Sequence, residues 1–276
     1  MFEETIIPLD KWVTVFIEWL VDNHREFFQT LKWPVEQMLN GFEHGLNMLH
    51  PSIIIVAVCL VAWRFSGKRL AVFSLVAMFT VGFLGLWEDT MITLAMVLSS
   101  VIICALIGVP LGIMAGRSDR FEFALRPVLD AMQTTPAFVY LVPIVMLFSV
   151  GNVAGVLATI IFALPPIIRL TSLGIRQVHP ELVEAAQAFG ATRWQVLVKV
   201  QIPLAMSTIL AGLNQTIMMA LSMVVIAALI GAGGLGSPVI LGLNTLDIGR
   251  AVVGGVGIVL MAIVLDRITQ SMAQKK

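Results

Sequence analysis

Long apolar runs dominate the pattern along the chain, and they predict helices that cross a membrane. A membrane helix needs roughly 20 largely apolar residues to cross about 30 Å of hydrocarbon. Seven stretches meet or approach that length: Asn47 to Phe65, Leu70 to Trp87, Met91 to Ala115, Ala131 to Val150, Val153 to Ile175, Ala205 to Ile230, and Gly249 to Ile268. The sequence therefore predicts an all-α fold, a polytopic membrane helical bundle of about seven spans.

Residues 1–46 have a different pattern from the transmembrane domain predicted over residues 47–276. From Leu9 to Leu31 apolar residues recur at helical spacing, with polar residues on the other face, and Pro34 opens a second stretch of the same kind. Three tryptophans in this segment suit a membrane interface: Trp12, Trp19 and Trp33. We expect one or two amphipathic helices, which either lie along the outer membrane surface or pack on the extracellular ends of the bundle.

Prolines mark two of the predicted spans as internal. The fourth span contains Pro136 and Pro143, and the fifth contains Pro165 and Pro166. Proline removes a backbone donor, so a membrane helix tolerates it only where neighbours satisfy the freed backbone groups. We expect both spans to lie inside the bundle.

The basic residues predict the orientation, because lysine and arginine concentrate in cytoplasmic loops. Thirteen of the 17 fall in alternate loops: Arg64, Lys68, Arg69, Arg117, Arg120, Arg126, Arg169, Arg176, Arg193, Lys199, Arg267, Lys275 and Lys276. The other side carries Lys11, Arg25, Lys32 and Arg250. We expect the N-terminus outside, the C-terminus in the cytoplasm, and the loop of residues 176–203 in the cytoplasm.

Composition agrees with a membrane protein and excludes several other classes. The chain is 58% hydrophobic and 12% charged, whereas a globular protein is about 45–50% apolar and about 25% charged. With a net charge of zero, the chain has no positive electrostatic field that would attract nucleic acid. Cys59 and Cys104 lie in apolar runs, which favours small buried side chains over a disulfide or a metal site. We also expect no removable signal peptide.

The longest cytoplasmic loop contains signals for two short helices. Pro180 suits the first position of a helix, and Gly190 suits its end. Thr192 followed by Gln195 has the form of a capping box, which starts a second helix. Four apolar residues fall on one side of the first helix: Leu182, Ala185, Ala186 and Phe189. Such a small-faced helix suits docking into a groove of a cytoplasmic partner.

Two other interpretations of this loop stay open on the residues alone. One is a solvated connector between the fifth and sixth spans. The other is a DNA-binding helix-turn-helix, in which two short helices also meet at a glycine. The second is disfavoured because the loop lacks a basic recognition surface.

A more specific signal lies in the same loop. Glu184, Ala185 and Ala186 are followed by Gly190, and then by Val200, Ile202 and Pro203. This spacing resembles the EAA signature of ABC importer permeases, with valine and isoleucine in place of the usual isoleucine and leucine. The resemblance implies that a coupling helix seats in a cleft of an ATP-hydrolysing subunit. It assigns coupling to these residues: Glu184, Ala185, Ala186, Gly190 and Pro203.

Three further runs extend the resemblance over most of the chain: LDAMQTTPAFVYLVP, FALPPIIRLTSLGIRQV and ALSMVVIAALIGAGGLG. They resemble the permeases of the glycine betaine, proline betaine and choline uptake branch. The resemblance implies a type I importer permease of the cell inner membrane, which carries a quaternary ammonium osmolyte. It also implies a homodimer, two cytoplasmic ATPase subunits that bind ATP and magnesium, and an extracytoplasmic substrate-binding protein.

The sequence contains no energy source of its own. It has no G-x-x-x-x-G-K-[ST] loop for a nucleotide. The centres of the predicted spans have no Asp, Glu or His for a proton relay; Asp130, Arg169, Asp266 and Arg267 fall near cytoplasmic ends. We therefore expect no cofactor in this chain and no enzymatic activity. The main alternative is an ion-coupled secondary transporter or channel, whereas a membrane enzyme is disfavoured because the four histidines lack metal-ligand spacing.

Polar residues within the spans are candidates for the translocation path: Gln133, Thr134 and Thr135 beside Pro136, and Asn214, Gln215 and Thr216. Hydrogen bonding between helices of one subunit is the alternative role. The run Gly231 to Gly236 fits G-x-G-x-x-G, but it ends a membrane span instead of a strand. We expect a tight extracellular turn or a close helix contact there, not a dinucleotide site.

Overall fold

The computed structural model describes residues 8–274, without the side chains of residues 9, 10, 273 and 274. The helices are, in chain order, α1 (Leu9–Met48), α2 (Pro51–Ser66), α3 (Lys68–Phe83), α4 (Trp87–Arg117), α5 (Asp119–Thr134), α6 (Ala137–Phe148), α7 (Asn152–Arg176), α8 (Pro180–Ala188), α9 (Arg193–Val196), α10 (Ile202–Ala227), α11 (Gly236–Thr245) and α12 (Ile248–Gln274). No β-strand occurs in this part of the chain. The predicted all-helical bundle is confirmed, while Lys275, Lys276 and the first seven residues lie outside the described range.

The centre of the bundle is the packing of α7 against α4 and α10. Gly108, Gly112 and Gly116 form a stripe along α4, and a Cβ atom on Gly112 would lie 2.5 Å from the Cβ of Thr171. Small residues at a spacing of four let two membrane helices approach closely. Pro165 and Pro166 are buried within α7, which confirms that this proline-containing span is internal.

Four helical segments are long and apolar enough to cross a membrane: Trp87–Arg117, Asn152–Arg176, Arg193–Ile230 and Ile248–Met272. Counting each of two bent helix pairs as one span raises the number to six. The sequence predicts about seven spans, and by length and composition the described residues supply four to six. The stretches predicted as the first, second and fourth spans form helices of 16, 16 and 12 residues.

The predicted fourth span, Ala131 to Val150, is broken at Pro136: it contains the end of α5 and the whole of α6, and these two helices meet at 98°. Thr135 has extended backbone angles (φ −71°, ψ 126°), because a following proline disfavours the helical conformation. The Tyr140 hydroxyl donates to the Thr135 carbonyl at 2.7 Å and also contacts the Met132 carbonyl. This side chain therefore ties α6 back onto the end of α5, and we call the bend the elbow.

The N-terminal segment forms one long helix, α1, with a non-helical residue at His24 and with Pro34 inside it. Its second half packs on the bundle, where Val35 and Leu39 are buried and the ring of Phe28 meets that of Phe148. Its first half carries exposed aromatic residues: Trp12, Phe16, Trp19 and Phe27. Packing on the bundle is thus found in the second half of α1, whereas exposed apolar side chains occur in both halves, Trp33 included.

The glycine-rich run forms a tight turn between the end of α10 and α11. The Leu235 N–H donates to Thr93 Oγ1 at 2.8 Å, and the Gly233 N–H donates to Asn152 Oδ1 at 2.7 Å. Gly234 has φ +87°, and a Cβ atom there would lie 2.5 Å from Thr93 Oγ1. The predicted tight turn and close helix contact are both present.

Candidate functional site

The loop between α7 and α10 has the two short helices that its sequence predicts. Helix α8 begins at Pro180 and closes at Gly190, which has φ +82°. The Ala191 N–H donates to the Ala186 carbonyl at 3.0 Å, and the Gly190 N–H donates to the Gln187 carbonyl at 2.9 Å. These two bonds form a Schellman motif, which requires a left-handed residue at the glycine position. The loop is therefore a folded structure with a fixed turn.

The second helix of the loop starts at the predicted capping box. Thr192 Oγ1 accepts a hydrogen bond from the Gln195 N–H at 3.3 Å, and Gln195 Oε1 accepts one from the Thr192 N–H at 2.8 Å. Helix α9 runs through a π-helical segment, Leu197–Gln201, into α10. Proline lacks an N–H and crowds the carbonyl four residues earlier, so the wider π turn accommodates Pro203. The part of the loop from Arg193 onward and the membrane helix thus form one rod, Arg193–Ile230.

The outer surface of the loop presents apolar side chains to its surroundings. No residue of α8 is buried, and Phe189 and Trp194 are 93% and 69% exposed. Glu184 and Ala185 are also exposed, whereas Ala186 is partly buried. Behind this surface, Val196 and Leu197 are buried. The arrangement gives a rigid base with an apolar outer face, which suits a protein partner.

The polar residues predicted for the path fall into two separate groups. Gln133, Thr134 and Pro136 lie at the elbow, where Thr134 Oγ1 donates to the Asp130 carbonyl of its own helix at 2.8 Å. In the other group, on α10, Gln215 is exposed and Thr216 is buried. Within the described residues no hydrogen bond joins the two groups.

Asn214 makes hydrogen bonds to α12. Its Nδ2 donates to Asp266 Oδ1 at 3.0 Å, and its Oδ1 accepts a hydrogen bond from the Thr269 hydroxyl. These contacts are hydrogen bonds between two helices of one subunit, which is the alternative role expected for the polar residues of the spans. Sequence reasoning treated Asp266 only as a charge near a helix end, and the helical spacing of Asp266, Thr269 and Gln270 was the available signal for a polar face on α12.

A cluster of ion pairs between α5 and α7 was also missed. Arg176 pairs with Asp119 at 2.6 Å and with Glu122 at 2.8 Å, and Arg169 pairs with Asp130 at 2.6 Å. Arg176 also donates to the Ala115 carbonyl at 2.8 Å. A cavity of about 370 Å³ lies beside these groups. The cluster places two of the basic loops on the same side of the bundle.

Comparison with known proteins identifies the family. The profile of the family described as binding-protein-dependent transport system inner membrane component matches residues 108–276. The chain belongs to this family. The five residues that the EAA resemblance assigns to coupling lie within the matched range. Family and fold together are those of an ABC importer permease, not of an ion-coupled carrier.

Several named relatives match the permease over nearly its whole length. The glycine betaine/proline betaine transport system permease protein ProW of Escherichia coli is 55% identical over 99% of this chain and 77% of the relative. The glycine betaine transport system permease protein OpuAB of Bacillus subtilis is 46% identical over 98% and 96%. The Listeria monocytogenes glycine betaine/carnitine transport permease protein GbuB is 44% identical over 98% and 96%.

Two solved structures have the same fold. An inward-facing MetNI methionine ABC transporter matches with a TM-score of 0.60 at 22% identity, over 66% of this chain and 91% of the solved chain. An amino acid ABC transporter with histidines matches with a TM-score of 0.59 at 22% identity, over 73% and 98%. At 22% identity these two matches show a shared fold and nothing further.

Proposed function

We propose that the permease forms the translocation path for glycine betaine or a related quaternary ammonium osmolyte. The observation that carries this proposal is the 55% identity over 99% of the chain to a permease named for glycine betaine and proline betaine transport. Relatives from three genera with glycine betaine in their names support the same substrate class.

The loop of residues 176–203 is the proposed contact with a separate ATPase that binds ATP and magnesium. Glu184, Ala185 and Gly190 lie on an exposed, rigid helix-turn unit, and the exposed rings of Phe189 and Trp194 flank the turn. Large apolar side chains exposed on a rigid base are typical of docking surfaces. Pro203 lies within the rod Arg193–Ile230, which leads from this surface into the membrane, so movement of the loop would be carried inward.

The proposed assembly contains two copies of the permease, two ATPase subunits and an extracytoplasmic binding protein. The large cavity of about 840 Å³ between α1, α4, α6 and α7 has an almost entirely apolar lining. Such a lining does not suit a zwitterion, because burying unpaired charge is costly. We therefore expect the polar path to lie between two copies, with Gln133, Thr134, Pro136 and Gln215 among the candidate lining residues.

The proposed orientation follows the basic residues, with the loop and the C-terminus in the cytoplasm and the N-terminus outside. The α5–α7 ion pairs support it, because they join basic segments around Arg117 and Arg176 on one side. The first half of α1, with its exposed tryptophans, would then contact the outer membrane interface.

Reconstitution tests the proposal. The permease, its candidate ATPase and a binding protein would be placed in proteoliposomes, and uptake of labelled glycine betaine would be measured with ATP and with a non-hydrolysable analogue. We expect uptake only with ATP, the ATPase and the binding protein together. Gradient-driven uptake by the permease alone would support the secondary transporter instead.

Crosslinking tests the contact directly. Cysteine at Ala185, in a background with Cys59→Ser and Cys104→Ala, should crosslink to the ATPase subunit. Cysteine at Thr245, exposed at the end of α11, is the matched control and should give no such product. The reverse pattern would contradict the proposed contact.

A further inference from the structure

Polar side chains join α10 to α12 within the membrane-spanning part of the fold. Asn214 on α10 donates to Asp266 Oδ1 at 3.0 Å, and it accepts a hydrogen bond from Thr269. Gln270 Nε2 donates to both oxygens of Asp266, at 2.8 and 2.9 Å. Asn214 is thus held on both sides of its amide by α12. We call these four residues the clamp.

The chemistry of the clamp is unusual for a membrane helix. Asp266 is partly buried in the candidate span Ile248–Met272, and no ion pair to it occurs among the described residues. Amide groups alone satisfy its carboxylate. Asp266 lies towards the C-terminal end of this span, yet its carboxylate is turned to α10 and bound by the amides of Asn214 and Gln270. The group therefore serves the contact between the two helices.

The position of the clamp indicates that role. Helix α10 belongs to the rod Arg193–Ile230, which begins in the coupling loop. Asn214 lies near the middle of this rod, and the turn at its far end is tied to Thr93 and Asn152. The only side-chain hydrogen bonds between α10 and α12 in the part of the chain that the structure describes are those of Asn214. The clamp therefore provides the hydrogen bonds that connect the rod to α12.

We propose that Asn214 and Asp266 are positioning residues that make α12 move with the rod when the coupling loop is displaced. The proposal rests on the proposed function, because it takes the loop to be driven by the ATPase. Apolar packing lets two helices slide along each other, whereas paired hydrogen bonds fix their register. Asp266 acts through Asn214 in this role.

The readout is the number of solute molecules accumulated for each ATP hydrolysed in proteoliposomes. Asn214→Asp sets two carboxylates against each other and removes the donated hydrogen bond. We expect this variant to lower the ratio at least about fivefold, the lower range for coupling between sites. Asp266→Asn keeps an acceptor oxygen and should have a smaller effect. A change that merely weakened the fold would lower uptake and hydrolysis together and leave the ratio unchanged.

The exchanged pair, Asn214→Asp with Asp266→Asn, is the decisive variant. It restores one amide and one carboxylate across the same gap, so we expect the ratio to return to within about twofold of the original protein. Ser207→Asp, exposed on the same helix, is the control for an added carboxylate and should stay within about twofold as well.

Three results would overturn the proposed role of the clamp. The first is an unchanged ratio in Asn214→Asp, and the second is an equal loss of uptake and hydrolysis in that variant. The third is an exchanged pair whose ratio is no better than that of Asn214→Asp, which would mean that position 266 itself needs the charge. Failure of the proposed function would give a different experimental result. The unaltered permease would then accumulate solute without ATP, and that result would overturn both proposals.

Discussion

Gly112 of α4 lies directly against Thr171 of α7, and a Cβ atom on the glycine would also lie 2.7 Å from the backbone oxygen of Ile168. The contact involves backbone on both sides, so the neighbours have little freedom to move. Any side chain larger than that of glycine at position 112 should therefore push α4 and α7 apart and destabilise the bundle.

Gly112→Ala should destabilise the purified permease by about 1–3 kcal/mol, the usual cost of overpacking. The measurement is the midpoint of thermal unfolding in detergent. Gly45→Ala is the matched control, because nothing lies within 4 Å of a Cβ atom there and alanine is the better helix former by about 1 kcal/mol. Equal midpoints for the two variants would contradict the close approach of α4 and α7.

Substitutions at Gly190 should rank by their tolerance of positive φ. Asparagine accepts the left-handed conformation better than alanine, and a β-branched valine accepts it least. No atom lies within 4 Å of a Cβ atom at this position, so strain and not crowding decides the order. We expect ATP-driven uptake to fall in the order Gly190→Asn, Gly190→Ala, Gly190→Val. Equal uptake in all three would show that the turn geometry is unimportant.

Phe189→Ser and Trp194→Ser should weaken binding of the ATPase without lowering the thermal stability of the isolated permease. Both rings are largely exposed, and an aromatic anchor at an interface contributes about 2 kcal/mol or more. Affinity would be measured by titrating the solubilised permease with the ATPase. Phe83→Ser is the control, since Phe83 is 88% exposed at the end of α3, away from the loop; a loss of affinity there would argue against a local contact.

Arg176→Ala should loosen α5 from the rest of the bundle. The side chain pairs with Asp119 and Glu122 and donates to the Ala115 carbonyl; partly exposed pairs contribute up to about 1 kcal/mol each. We expect a lower unfolding midpoint at low salt and a smaller difference at 1 M salt, where the screening length is about 3 Å. The control is Arg120→Ala, because Arg120 is an exposed arginine of α5 itself; it should show little change at either salt concentration.

The sequence predicted the features that depend on neighbouring residues. Pro180, Gly190 and the Thr192–Gln195 capping box define α8 and α9 by local chemistry, and the structure has these helix ends where they were expected. The spans of α4, α7, α10 and α12 were also found, because long apolar runs have few alternative structures.

Features that depend on distant contacts were missed. Hydrophobicity alone did not show that Pro136 breaks the fourth span, because the apolar run continues through the elbow. The contact of Asn214 with Asp266 joins residues 52 positions apart, and no local pattern encodes it. The glycines at 108, 112 and 116 did repeat every four residues, and this repeat was the signal that could have predicted the packing of α4 on α7.

The short helices α2 and α3 have a consequence for the lipid around them. A helix of 16 residues rises about 24 Å, whereas the hydrocarbon layer of a bilayer is about 30 Å thick. Because of this hydrophobic mismatch, α2 or α3 alone would cross the bilayer only where the acyl chains beside it compress to cover the helix ends. Such a crossing would thin the lipid layer on one flank of the protein, and lipids with shorter chains should gather there.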